Sequence, residues 1–291
     1  MKTWGLALGA GGIYGFAHIG VLEVLESHGL RPGFVAGTSA GAIVASLWAS
    51  SKTPGDFDAT VSELLIDHEG ALQTLASLMG AGSSVTGPAS AMGLSGFLNG
   101  NWLESAIDKL TGGKRLSDVT IPLSIVSCDL ISGDIVVFTN TDQPMKTVLN
   151  RERRYVANAS LSTAVRASSS LPGVFAPKTL GSMELVDGGV REMVPAYEVR
   201  RMGAGEVLAV DLGSYIDRPQ HARGIFSILT RSFNLASRGT TVAHLREHAS
   251  LTLQPEVWDI GFPTPADFKQ LIESGRACAK RNIGRWLELI S

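Results

Sequence analysis

The chain opens on an apolar strand pattern, Thr3 to Leu8, that breaks into Gly9-Ala10-Gly11-Gly12-Ile13-Tyr14-Gly15. After the glycines, Phe16 to His28 sets Ile19, Leu22, Val24 and Leu25 along a helical face, and Gly29 stops the helix. Phe34 to Ala36 is a second short buried strand and Ala42 to Trp48 a buried helix, with Gly37-x-Ser39-x-Gly41 between them. Strand, glycine turn, helix, strand is a βαβ unit, which predicts a parallel sheet with right-handed crossovers. Both glycine turns then fall on one rim, at the carboxyl ends of the strands, where open α/β sheets take ligands.

Further along, Phe57 to Leu78 reads as a helix and Asn101 to Leu110 as another. Between them, Met79 to Gly100 carries no charge and is rich in Gly, Ser, Ala and Met, a candidate lid or apolar cap over a site or equally an ordinary surface loop. Leu123 to Cys128 is a buried-strand pattern, and Asp134 to Thr139 alternates as its hairpin partner across Ile131-Ser132-Gly133. Thr163 to Ser170 is a short helix leading to Leu171-Pro172-Gly173. Met183 to Val186 and Val207 to Asp211 are strands, the first running into Asp187-Gly188-Gly189 and the second into Leu212-Gly213. A helix opened by Thr264-Pro265-Ala266-Asp267 extends to about Leu289. No repeat, linker or composition break appears, so residues 1–291 are expected to form one domain.

Composition narrows the function classes. A formal net charge of -2, with acids and bases interspersed, gives nucleic acid no basic block to bind. Cys128 and Cys278 stand far apart in no metal spacing and read as reduced core thiols; no metal and no cofactor are called for. The apolar start is too short and too quickly broken for a signal peptide, and Gly33 to Ser51 and Gly70 to Leu103 are too interrupted for membrane spans. The expectation is a cytoplasmic protein without a transmembrane segment.

The candidate chemistry sits at the serine turn. A strand that turns sharply into a helix around one serine needs glycine on either side to relieve crowding, and it presents the hydroxyl at a helix N-terminus. The Gly9 to Gly15 turn offers converging backbone N–H groups. Its spacing fails the dinucleotide fingerprint, because Tyr14 stands where the third glycine belongs, so an oxyanion hole beside the serine is the better fit. A serine hydroxyl also needs a base. His18, His28, His68, His221, His244 and His248 each read more simply as surface or satisfied side chains, although a Ser-His-Asp triad would admit one of the last three. Asp187, released by two glycines directly after an apolar strand, is the best acid; Asp211 has a similar setting without the second glycine.

Several blocks together resemble the patatin-like phospholipase family. They are Leu8 to Leu22 with its glycine turn, Ala36-Gly37-Thr38-Ser39-Ala40-Gly41-Ala42, Cys128-Asp129-Leu130 with Gly133 and Val136-Val137-Phe138, Arg166 to Phe175, and Val186-Asp187-Gly188-Gly189 with Pro195. The resemblance implies a three-layer α/β/α fold with a mainly parallel central sheet. It implies a hydrolase of acyl esters in lipids or phospholipids that works at a membrane surface as a peripheral protein. It further implies a Ser39–Asp187 dyad in place of a histidine triad, an acyl-serine intermediate, and an oxyanion hole from the Gly9, Ala10, Gly11 and Gly12 loop, with Gly37 and Gly41 framing the nucleophile. Two departures stand out: Tyr14 replaces the usual Arg or Lys, which weakens any salt bridge to a phospholipid headgroup, and Ala10 replaces a glycine. Beside this reading stand a non-catalytic patatin-like lipid-binding regulator and an esterase or thioesterase with a conventional triad.

Overall fold

The structure, a computed structural model, describes residues 2–55, 99–141, 153–213, 225–257 and 265–291. The Phe57 to Leu78 helix, all but the last two residues of the Met79 to Gly100 segment, His68 and His221 lie outside them. A nine-stranded sheet organises the rest. Its strands are β1 (Trp4–Leu8), β2 (Phe34–Thr38), β3 (Leu123–Asp129), β4 (Ile135–Thr139), β5 (Arg153–Val156), β6 (Lys178–Leu180), β7 (Met183–Asp187), β8 (Glu206–Val210) and β9 (Leu251–Leu253). The described helices are α1 (Phe16–Ser27), α2 (Ala40–Ala49), α3 (Asn101–Thr111), α4 (Leu161–Ser168), α5 (Ala196–Arg201), α6 (Ile225–His248) and α7 (Pro265–Ile290).

Across the sheet the order is β5-β4-β3-β2-β1-β8-β9, and β3, β2, β1, β8 and β9 all run parallel. Side chains alternate between the two faces, as the period of a strand requires. On β1 and β8, Leu6, Leu8, Leu208 and Val210 face the core formed with α1, α2, α4 and α7, whereas Ala7, Val207 and Ala209 face the smaller core under α5 and α6. Helices thus cover both faces of a mixed, mainly parallel sheet, the expected α/β architecture. On the larger face α1 and α7 touch backbone to backbone, because Gly20 and Gly275 leave no Cβ to meet Ile272 O and Ala17 O.

One departure from a simple parallel sheet builds the site. The edge of β3 that faces β2 is shared between two strands. Along its first half β2 pairs in parallel, ending with Thr38 opposite Val126. Along its second half β7 pairs antiparallel, ending with Asp187 opposite Ser127. Two carboxyl-terminal strand ends, distant in sequence, therefore meet head-on at adjacent rungs of one ladder. The hydrophobic pattern predicted both strands, but not that β7 runs against β3. It also missed β5, β6 and β9, which are short and, in β5 and β6, carry Arg153, Arg154 and Lys178.

Candidate active site

Ser39 stands one residue beyond the end of β2 with φ 54° and ψ −120°, one of two non-glycine residues at positive φ among those described. Such a conformation costs on the order of 1–3 kcal/mol and persists only where its surroundings hold it. The surroundings are specific. A Cβ on Gly37 would run into Gly41 O, and one on Gly41 into Leu8 O, so the turn closes only with glycine at both positions. Ser39 N donates to Ser168 Oγ (2.8 Å), and Ser168 Oγ donates to Val126 O (2.5 Å), so the last residue of α4 ties the serine to the rung of β3 where β2 stops. Ser39 O accepts from Ala42 N and Ile43 N, which starts α2 directly under the hydroxyl. A helix N-terminus there favours negative charge at the serine.

Asp187 enters from the other side. Its N–H donates to Ser170 O (3.0 Å) and its Oδ1 accepts from Gly189 N (2.8 Å), while the Ser39 hydroxyl lies near enough to favour the charged carboxylate. Ser39 is 8% exposed and Asp187 3%. Burial pushes the Asp187 carboxyl up to about 6, with the Ser39 hydroxyl and the Gly189 N–H holding it back from rising further. Burial outweighs these two groups, so the carboxyl's basicity is raised towards neutrality.

The glycine loop lies alongside, with Ala10 Cβ 3.5 Å from where a Cβ on Gly189 would stand. Gly9 N donates to Val210 O (3.0 Å) and Ala10 N to Met193 O (2.8 Å). Their amides are committed to the scaffold. Gly12 (φ 54°) opens the single 3₁₀ turn Gly12–Gly15, and the first N–H groups of a helical turn have no acceptor within it. The loop is held from beneath by a residue that motif reading treated as ordinary: His18, fully buried on α1, donates from Nε2 to Gly9 O (2.8 Å). Burial lowers its pKa to about 4, so the ring is neutral near pH 7, and its Nδ1 meets no partner. Tyr14 is half-buried against the larger core, and burial raises its phenol pKa.

The other candidates go elsewhere. Asp211 accepts from Arg238 Nη1 (2.7 Å), Gln254 Nε2 (2.9 Å) and Gly213 N (2.8 Å). His28 contacts Val24 O on the surface of α1, and His244 and His248 line a cavity of about 390 Å³ with Arg153 and Tyr197. Cys128 and Cys278 are buried free thiols. Among the described residues no cluster of His, Cys, Asp and Glu is arranged to hold a metal, and no helix is long and apolar enough to cross a membrane. Ser168 ties the end of β2 to β3, and the Thr38 hydroxyl donates to Glu192 O (3.0 Å) beyond the Asp-Gly-Gly turn; neither announces itself except as a neighbour of a motif.

The chain resembles known proteins in sequence and fold. A family model described as patatin-like phospholipase matches residues 6–200. An uncharacterized NTE family protein of Mycobacterium tuberculosis (strain H37Rv) is 27% identical over 96% of this chain and 46% of its own length. The lysophospholipase NTE1 of Eremothecium gossypii is 30% identical over 74% of this chain and 12% of its own. The chain thus spans less than half the length of these curated relatives. Among solved structures, VipD from Legionella pneumophila superposes with a TM-score of 0.52 at 14% identity, over 97% of this chain and 66% of that one.

Proposed function

The chain belongs to the patatin-like phospholipase family, and from that premise we propose that residues 1–291 act as one serine lipid acyl hydrolase working through a Ser39–Asp187 dyad. The family supports hydrolysis of lipid acyl esters in general. The observation that carries the finer reading is the strained Ser39 hydroxyl facing a buried carboxylate whose pKa is pushed up to about 6.

In the proposed reaction the Asp187 carboxylate takes the hydroxyl proton as Ser39 Oγ attacks the ester carbonyl carbon. The carbonyl oxygen becomes an oxyanion held by the N–H groups of Gly11 and Gly12 at the positive end of the short helical turn. Collapse of the tetrahedral intermediate breaks the ester C–O bond, and the leaving alkoxide takes the proton back from Asp187, which leaves an acyl-serine. Water then attacks with Asp187 again as base, releasing the fatty acid and restoring the hydroxyl. An aspartate serves here because burial has brought its pKa near the working pH; an exposed one would be too weak a base. With Tyr14 in place of a cation, acyl-ester chemistry is favoured over recognition of a charged headgroup by this loop.

The test is labelling by a fluorophosphonate probe together with hydrolysis of p-nitrophenyl esters of rising chain length. Wild type is expected to label and hydrolyse, and Ser39→Ala to do neither. A folded wild type that neither labels nor hydrolyses would put the lipid-binding regulator in its place.

A further inference from the structure

Large exposed aliphatic side chains are few, and their positions are not random. Among the described residues six stand out: Leu130 (53% exposed), Ile131 (66%), Ile228 (50%), Leu229 (58%), Leu235 (52%) and Leu287 (38%). Leu287 lies near the amino-terminal rim of the sheet, where Lys2 N donates to Ile290 O (2.8 Å). The other five project past the opposite rim, the one that carries Ser39.

Two elements put them there. The β3–β4 turn begins where β3 leaves Asp129, and Leu130 stands three residues past Ser127, the rung opposite Asp187, or ~10 Å beyond it. The turn is braced. Asp129 Oδ1 accepts from Ile131 N (3.3 Å) and Glu184 N (3.0 Å), Asp129 Oδ2 from Ser132 Oγ (2.8 Å), and Asp129 O from Gly133 N (2.8 Å). Leu130 and Ile131 are therefore held outward by a fixed turn. Helix α6 runs antiparallel to β8. Arg238 meets Asp211 at the carboxyl end of β8, whereas His248 O at the helix end accepts from Arg200 Nε (2.9 Å), and Ser250 N from the next residues donates to Val207 O at the start of that strand. Leu235, Leu229 and Ile228 precede Arg238 by three to ten residues, which sets them ~5 to ~15 Å past the rim.

The sheet order β3-β2-β1-β8 completes the arrangement. One apolar prominence rises over β3 and the other over β8, roughly 14 Å apart in strand spacings, with the Ser39 turn and the glycine loop on the two strands between them. Two separate outcrops on either side of one mouth suit a broad, continuous apolar phase better than a single pocket-filling partner. Beside the β3–β4 turn, Arg191 Nη1 donates to Gly133 O (2.8 Å) and Arg154 pairs with Asp134 (3.4 Å), which fixes the turn that carries Leu130 and Ile131. We infer that this rim is a lipid-docking face, in which Leu130, Ile131, Ile228, Leu229 and Leu235 enter the headgroup–acyl boundary and seat the mouth of the site on the bilayer. The inference rests on the proposed lipid hydrolysis for its choice of a lipid surface as the occupant.

The test separates docking from chemistry. The full chain is sedimented with vesicles of phosphatidylcholine and phosphatidylglycerol, beside the double variants Leu130→Asp/Ile131→Asp and Leu229→Asp/Leu235→Asp. All four substituted positions are exposed, so folding is kept, and circular dichroism checks it. Each double variant is expected to lower vesicle partitioning by about tenfold or more. Hydrolysis of a short, soluble p-nitrophenyl ester should stay within about twofold of wild type, because the dyad is untouched. Equal partitioning of variants and wild type, or no partitioning of wild type, overturns the docking face. If the variants instead dissociate a wild-type dimer in sedimentation velocity and bind vesicles unchanged, the face joins two copies of this chain and lipid docking is overturned. Loss of soluble-ester hydrolysis in wild type would count against the dyad and leave the vesicle result to be read by itself.

Discussion

Asp187 and Asp211 begin from the same local design. Each closes an apolar strand, each is buried, and each has an Oδ1 that accepts from a glycine N–H two residues on (2.8 Å in both). Their long-range partners separate them. Asp211 is held by Arg238 and Gln254, so its charge is neutralised and its lone pairs are occupied. Asp187 faces a serine hydroxyl, and burial without a compensating cation lifts its pKa to about 6. An Asx turn at a strand end is thus a neutral chassis, and what lies across the rim decides whether it carries structure or chemistry.

The sharpest way to break this contrast is to neutralise each acid in turn. Asp187→Asn is expected to reduce ester hydrolysis by about a thousandfold or more while the protein stays folded. Asp211→Asn should leave hydrolysis within a few-fold and instead lower unfolding stability by about 2–4 kcal/mol, since Arg238 keeps a partly buried charge without its carboxylate. Equal losses of activity would end the distinction. A smaller effect is expected from beneath the glycine loop. His18→Ala should lower kcat by about tenfold to a hundredfold with KM little changed, because Gly9 O loses its donor and the loop's free amides lose their aim; steady-state kinetics on a soluble ester reads the split.

The pH profile tests the cause of the contrast. Hydrolysis should fall about tenfold per pH unit below an apparent pKa near 6, where Asp187 takes up its proton, and this limb should follow the dyad and not a histidine. Stability carries the opposite sign. A folded-state pKa raised from 3.8 to about 6 means that this group favours the fold fully below 3.8, an advantage lost as pH rises through about 6. Chemical denaturation of Asp187→Asn should therefore show a flatter dependence over that window than wild type. The smallest effects belong to α6, where His244→Ala and His248→Ala should each leave hydrolysis within about twofold; a large loss would restore the triad.

How much of this could be read beforehand follows from how local each feature is. The first βαβ unit, the serine turn and the Asp-Gly-Gly turn are written in contiguous residues, and the structure places β1, α1, β2 and α2 within a few residues of their patterns. The direction of β7 was not legible, because a strand pattern as short as Met183 to Val186 reads alike as parallel or antiparallel. Nor could the amide ledger of the glycine loop be read. Val210 O and Met193 O, which claim Gly9 and Ala10, are some two hundred residues away in the chain. His18 was passed over for a similar reason, since its acceptor is a backbone carbonyl to which no side-chain pattern points.

The meeting of β2 and β7 on one edge of β3 bears on where such a protein is free to change. Thr38 and Asp187 are indexed by adjacent rungs of a ladder and not by the chain that joins them. Residues inserted at the outward-facing Gly112–Gly113 turn would lengthen that chain and leave the rungs in place. Chemistry is anchored in the ladder and the connecting segments are at liberty to diverge, so new substrates can be acquired by remodelling loops without disturbing the reacting pair.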